Sequence, residues 1–354
     1  MTIQPVPASR RLEDNSFDLL RLLFAGAVCL VHVANLSGRA ELAWIDRVLS
    51  STVAVKAFFV VSGFLVFMSF ERSRTLAEYA GKRVRRIYPA YCAVVLLCAV
   101  GLAPFSSLAA RDYFFSPDWL KYVAANLAFL NFLQPTLPGV FAGNPVAAVN
   151  GALWTLKIEA MFYLAVPVCV WLSRRHGRFA VLAAIYVASV AYEWILSALA
   201  SRGGGALYAE LARQLPGQMS YFVSGAFFFY YLPLLERRPA WFALPALLIL
   251  VADRSVPLPV LEPFALATVV VCCGLFLSAG NWARYGDFSY GLYVLHFPIV
   301  QLLVQEGWLR GQPLAFLATA VALALAAAFC MWHLVELPFL RRDSHYVGGR
   351  AGRT

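Results

Sequence analysis

Arg21 and His32 lie eleven positions apart within the otherwise apolar run from Phe17 to Ser37. At 3.6 residues per turn, that spacing puts both side chains on nearly the same face of one helix. They are separated along its axis by about 16 Å, at 1.5 Å per residue. A guanidinium is a fixed cation suited to phosphate or carboxylate, and an imidazole titrates near neutrality, as a general base must. Together they suit a polar channel with a cation near one end and a proton acceptor further in. The plainer alternative is an arginine that snorkels to an interface and a histidine that satisfies a carbonyl in a packed core. The shared face favours the first reading, because both side chains must point into the bundle together.

Further polar residues recur where the chain is otherwise apolar. The run Lys82-Arg83-Val84-Arg85-Arg86-Ile87-Tyr88-Pro89 puts Arg83 and Arg86 three apart, on one face of a helical turn. Pro89 is expected to fix the entry of the helix that follows. Two guanidinium forks at this spacing can hold phosphates, and the same charges can equally anchor a membrane topology. Lys157 and Glu159, in the segment Leu153 to Tyr163, are two apart and face away from each other, so each needs another partner. Asp18, Arg21 and His32 are candidates for Glu159. Ser62 and Gly63, in Phe58 to Phe64, suit close helix packing. His296 precedes Pro298, which frees backbone carbonyls, so a structural hydrogen bond and a catalytic role are both open. Lys56, Glu193, Asp287 and Glu336 complete the set of ionisable residues in apolar surroundings. Such residues cost about 2.5–3.5 kcal/mol each to insert and usually mark function.

The elements that must position these groups follow from composition. The chain has 354 residues, 61% apolar or aromatic and 14% charged, with mean hydropathy +0.69. Soluble domains are roughly 45–50% apolar and about 25% charged. This excludes a soluble enzyme, a disordered chain and a typical nucleic-acid binder, despite the net charge of +10. The seven cysteines lie in apolar runs without CxxC or metal-ligand spacing, so neither a disulfide framework nor a metal site is expected.

A spanning helix needs about 20 apolar residues. Ten candidate segments fall near 17–37, 51–70, 88–106, 153–173, 178–199, 218–234, 239–252, 258–279, 286–307 and 313–340. The seventh is short. A further stretch, Asp118 to Gln134, is interrupted by Lys121, Asn126 and Asn131 and reads as interfacial or re-entrant. Of the 29 Lys and Arg residues, 18 fall in one set of alternating loops and 8 in the other, which places both termini in the cytoplasm. The expected fold is all-α: a polytopic transmembrane helix bundle of about ten spans. A cytoplasmic tail (1–16) precedes one membrane domain (17–340), and a second tail (341–354) follows it. The first apolar run lacks a small-residue cleavage site and reads as a retained helix.

These segments, in order, resemble the acyltransferase 3 family of bacterial integral-membrane O-acyltransferases. The matching pieces are Arg21 followed after ten residues by His32, Phe58 to Phe64, and Arg83-x-x-Arg86-Ile87-Tyr88-Pro89. Trp154-Thr155-Leu156-x-x-Glu159-x-x-Phe162-Tyr163 and Ser289-Tyr290-x-x-Tyr293-x-x-His296 complete the set. The resemblance implies a multi-pass protein of the bacterial cytoplasmic (inner) membrane. Its donor substrate would be cytoplasmic acyl-CoA, acetyl-CoA being the common case, with no metal, and its acceptor a hydroxyl of a surface or secreted glycan or glycolipid. Membrane lipids would surround it, and nucleic acid would not be a partner. It further implies that His32 acts as general base, with Arg21 and Glu159 in the catalytic group. Arg83, Arg86, Tyr88, Trp154 and Lys157 would lie on the donor side, with Ser62, Tyr290 and His296 in support. Some members carry an additional hydrolase-like domain, and this chain has the form of the stand-alone type. The rival reading of the buried Arg, His and Glu residues is a transporter or flippase of a glycan precursor. The lack of an internal repeat speaks against it.

Overall fold

The structure, a computed structural model, describes Leu12, residues 15–277 and residues 286–340. Among these every regular element is helical and there is no strand. In a hydrocarbon environment backbone polar groups must be satisfied within the segment, and long apolar runs meet that demand as helices. Ten helices of fifteen residues or more occur among the described residues. They are α1 (Phe17–Ser37), α2 (Ser51–Glu71), α3 (Leu76–Gly101), α4 (Trp154–His176), α5 (Arg178–Leu199), α6 (Leu215–Tyr230), α7 (Pro239–Asp253), α8 (Glu262–Phe276), α9 (Ser289–Gln305) and α10 (Pro313–Met331).

Each expected segment has its helix. Among the described residues, six stretches, those containing α1, α2, α3, α4, α5 and α10, are long and apolar enough to cross a membrane. Helices α6 to α9 are shorter, at 15–17 residues. The predicted cytoplasmic tails fall almost wholly outside the described residues.

Two local expectations change. Pro89 does not open the third helix; it lies inside α3, which begins at Leu76. The basic run 82–86 is therefore helical, because Tyr79, Ile87, Ala90, Tyr91, Val94 and Cys98 recur at helical spacing and are buried. Proline removes the helical donor to the Arg85 carbonyl four residues earlier; in the same turn the Ile87 carbonyl accepts a hydrogen bond from the Tyr290 hydroxyl at 2.9 Å. The stretch Asp118 to Gln134 is helical only over Pro117–Leu127 and then irregular up to the turn at Gly151.

The chain forms two compact units. One comprises the described residues up to Leu20, with Val55–Gly81 and 158–277; the other comprises Arg21–Ala54, Lys82–Lys157 and 286–340. In the first unit, α2 and α6 approach so closely that side chains do not fit between them. A Cβ on Gly63 would strike the Phe222 carbonyl, and one on Gly225 would strike the Val60 carbonyl. Phe162 stacks on Phe222 beside them, with ring centroids 4.1 Å apart. The same unit holds two ionic ties. Lys56 lies 3.3 Å from both carboxylate oxygens of Glu262, which also accepts from Tyr221. Glu71 pairs with Arg174 at 3.0 Å and accepts from Tyr230 at 2.7 Å.

In the second unit, the irregular stretch before α4 is fastened to α9 by side-chain amides. Gln301, fully buried, donates to the carbonyls of Val146 and Ala148 and accepts from Asn144 at 2.9 Å. Gln305 accepts from the Phe141 N–H and donates to the Phe105 carbonyl, each at 2.8 Å. Asn150 donates to the Val294 carbonyl at 2.8 Å. These amides supply the partners that a helix would otherwise provide to this backbone. Replacing Gln301 by Leu removes the donor to two part-buried carbonyls and the acceptor for Asn144, a loss of up to about 1–3 kcal/mol for each group left unsatisfied. We expect Gln301→Leu in detergent to melt several degrees below wild type, while an unchanged melting temperature would show that the stretch is held by other contacts.

Candidate functional site

The second unit assembles most of the residues singled out in the sequence. Helix α1 runs unbroken from Phe17 to Ser37, so Arg21 and His32 do share one continuous helix. Arg21 donates from Nη1 to Asp287 Oδ2 at 2.7 Å, and Arg86, on α3, donates to the same oxygen. The other oxygen, Oδ1, accepts from the backbone N–H of Ser289 at 3.1 Å and from the Ser289 hydroxyl, fixing the carboxylate at the start of α9. Only 1% of the Asp287 side chain is exposed. Arg86 also reaches Glu336 Oε2 at 3.4 Å, and its guanidinium lies 5.9 Å from the Tyr290 ring. The second carboxylate oxygen of Glu336 is buried without a hydrogen-bond partner. Two cations and two carboxylates thus gather at the Arg21 end of α1.

Three helical turns along α1, the Nδ1 of His32 lies 2.8 Å from the Nε2 of His296, with the rings inclined by only 20°. His296 is fully buried, and its own Nδ1 lies 2.9 Å from the Leu292 carbonyl. A carbonyl only accepts, so Nδ1 of His296 carries its proton. Its Nε2 in the neutral ring is then a bare acceptor, and Nδ1 of His32 must be the donor. This leaves the lone pair of His32 on Nε2, and no hydrogen bond to that nitrogen occurs among the described residues. The Phe297 ring closes one side of His32 edge-on, 5.4 Å between centroids. Tyr293 stands 6.0 Å from His296, and its hydroxyl shares a 2.7 Å hydrogen bond with Thr155.

The other expected residues divide between the two units. Arg83 shares α3 with Arg86, and its buried Nε has no hydrogen-bond partner. Tyr88, two residues after Arg86, is exposed and faces Phe129 at 6.2 Å. Trp154 opens α4, and Lys157 on its first turn lies 4.8 Å over the Phe132 ring. Tyr290 spends its hydroxyl on the Ile87 carbonyl. Ser62 and Glu159 belong to the first unit. The Ser62 hydroxyl is buried without a partner, and Glu159 accepts from Tyr163 at 2.6 Å. The orienting partner seen on His32 is His296.

Sequence reasoning named Asp287 and Glu336 among the buried acids without placing them in the site. Asp287 left one local signal, an acid two residues ahead of a serine at a helix start. Thr155 and Tyr293 lay within the quoted motifs, but nothing in their spacing paired them, since they are 138 positions apart.

The family model described as "Acyltransferase domain", acyltransferase 3, matches residues 14–335. The chain is 27% identical to "Nodulation protein 10" of Rhizobium leguminosarum bv. viciae, over 95% of this chain and 96% of that protein. It is 25% identical to an "O-acetyl transferase" of Shigella phage Sf6, over 94% and 98% of the two chains. With "Exopolysaccharide production protein ExoZ" of Rhizobium meliloti (strain 1021) it shares 27% identity over 84% and 93%. No solved structure matches it significantly.

Asp287 is the counter-ion on which both guanidiniums rest. Breaking a buried ion pair by removing one partner costs about 3–5 kcal/mol, because it leaves an uncompensated charge. Asp287→Asn should therefore lower the unfolding temperature sharply in detergent, and adding Arg86→Met should recover part of the loss. Wild-type stability of the single variant would contradict this arrangement.

Proposed function

The chain belongs to the acyltransferase 3 family, and from that premise we propose that it moves an acyl group, in the first instance acetyl, from cytoplasmic acyl-CoA to a hydroxyl of a surface or secreted glycan or glycolipid. The names of two relatives, an O-acetyl transferase and an exopolysaccharide production protein, support the acyl group and the acceptor class. The bias of basic residues supports an orientation in which the Arg21 end of α1 faces the cytoplasm. The membrane would be the bacterial inner membrane.

The observation that carries the reading is the histidine pair. With its Nδ1 proton directed to His296, His32 offers a bare Nε2 as general base. In the proposed step, this nitrogen takes the proton of an acceptor hydroxyl as the oxygen attacks the thioester carbonyl. The C–S bond then breaks, the proton passes to the leaving thiolate, and the products are an O-acyl ester and free CoA. His296 is a positioning residue. It fixes the tautomer of His32 and accepts a hydrogen bond from the imidazolium that forms in the step.

On the donor side, Arg83 and Arg86 would hold the nucleotide phosphates, with Tyr88, Trp154 and Lys157 around the donor. Asp287 and Glu336 hold Arg86 in place, and Asp287 holds Arg21. These carboxylates offset much of the cationic charge, so added phosphate charge must be met by the whole 82–86 run and not by one arginine. The 16 Å along α1 between Arg21 and His32 would separate the charged part of the donor from its thioester. Glu159 and Ser62 remain candidates for supporting roles in the same reaction, as does Tyr290.

The test is acyl transfer by purified protein given acetyl-CoA and a glycan extract, alongside acetyl-CoA binding. His32→Ala should lose transfer by 100-fold or more, within the range general-base catalysis supplies, and keep its affinity for acetyl-CoA. Arg83→Ala with Arg86→Ala should weaken acetyl-CoA binding at least tenfold. Wild-type turnover by His32→Ala would remove the base, and unchanged affinity in the arginine variant would return those residues to topology anchors.

A further inference from the structure

The two helices that carry the histidine pair continue past it to the walls of a cavity in the second unit. On α1, Ser37 follows His32 by five residues; on α9, Leu303 and Val304 follow His296 by seven and eight. At 1.5 Å per residue the cavity begins about 7–11 Å beyond the histidines, on the side away from Arg21. It is an open cleft of about 310 Å³, at the lower end of the range of small-molecule sites, about 300–1,000 Å³.

Its lining is of two kinds. Leu303, Val304 and Pro313 form an apolar wall. Opposed chemistry comes from Arg39, Glu41 and Arg310. Arg39 is already committed, donating to the carbonyls of Leu309 and Trp308 at 2.9 and 3.1 Å and lying 4.1 Å over the Phe316 ring. It ties the end of α1 to the turn between α9 and α10. Arg310 and Glu41 are different. Both line the cavity, yet among the described residues neither forms an ion pair or hydrogen bond, with the other or with anything else. The Arg310 guanidinium is folded over Gly307, where a Cβ would strike its Nε; Gly307 has φ +63°, a backbone that also favours glycine.

We infer that this cavity is the binding site for the sugar ring that accepts the acyl group, an inference that rests on the acyl-transfer reading above only for what happens to the sugar once bound. A pyranose has hydroxyls around its edge and C–H faces above and below. An uncommitted carboxylate accepts from the hydroxyls, an uncommitted guanidinium donates to them, and an apolar wall takes a C–H face. The lining carries a net charge of +1, but Arg39 has its donors directed to backbone carbonyls and Glu41 sets a carboxylate into the same lining, an arrangement that suits a glycosyl unit better than a phosphate. Placement beyond the histidine pair, on the side opposite the Arg83–Arg86 run, lets donor and acceptor approach His32 from opposite ends of the unit.

The test uses the purified full-length chain in detergent and oligosaccharides released by mild acid from the envelope polysaccharide of the source bacterium. Binding is read by saturation-transfer NMR, with acetyl-CoA consumption measured on the same preparations. Glu41→Gln and Arg310→Gln alter exposed side chains and should leave folding intact; each should weaken oligosaccharide binding at least tenfold. Val304→Trp, which fills the cavity, should do the same. Binding unchanged in these variants overturns the inference, and so does the absence of oligosaccharide binding to the wild type. Binding that depends on Glu41 and Arg310 without any acetyl-CoA consumption would leave the sugar site standing and remove the acyl-transfer reading instead.

Discussion

The Asp287 carboxylate lies between two guanidiniums, those of Arg21 and Arg86, almost out of contact with water. A charge so placed is tolerated only when paired and hydrogen-bonded, and Asp287 meets both conditions through the two arginines and the start of α9. Three helices, α1, α3 and α9, are thereby fixed to one point. The rest of the candidate site depends on that point, because α1 and α9 are the helices that carry His32 and His296. A shift of α9 along α1 would part the two rings and with them the proton arrangement that leaves His32 a free nitrogen.

Hydrogen bonding then does for the histidines what ion pairing does for the arginines. No carboxylate touches either ring among the hydrogen bonds described; the chain of donors ends at the Leu292 carbonyl. A carboxylate partner would hold an imidazolium more strongly, whereas a neutral histidine leaves His32 less basic and dependent on the substrate's own charge development. In the proposed step, fixed dipoles around the ring would have to stabilise the imidazolium that shielding from water disfavours.

Much of the fold was legible because length and hydropathy alone mark apolar helices. The edges of α1 and α5 match the expected 17–37 and 178–199, where polar residues or glycine sit at both ends. Helix α3 starts twelve residues before its expected edge, since a run of arginines looks like a loop until the buried spacing of Tyr79, Ile87 and Tyr91 is weighed against it. The ionisable residues that gather in the candidate site were also legible one by one, as groups that an apolar chain should not carry. Their pairing was not. His32 finds His296 across 264 positions and Arg21 finds Asp287 across 266, and such contacts come from tertiary packing that no local period encodes. Candidate partners for Glu159 could be named but not chosen for the same reason, and its hydrogen bond proved to be local, to Tyr163 one turn away.

His32 presents a bare Nε2 because its Nδ1–H donates to the Nε2 of His296. Nitrogen-15 NMR of histidine-labelled protein at neutral pH reads this directly, with His32→Ala and His296→Phe spectra providing the assignments. His32 should be protonated on Nδ1 and unprotonated on Nε2, with that preference lost when His296 is phenylalanine. A His32 ring protonated on Nε2, or on both nitrogens, in the resting protein would contradict it.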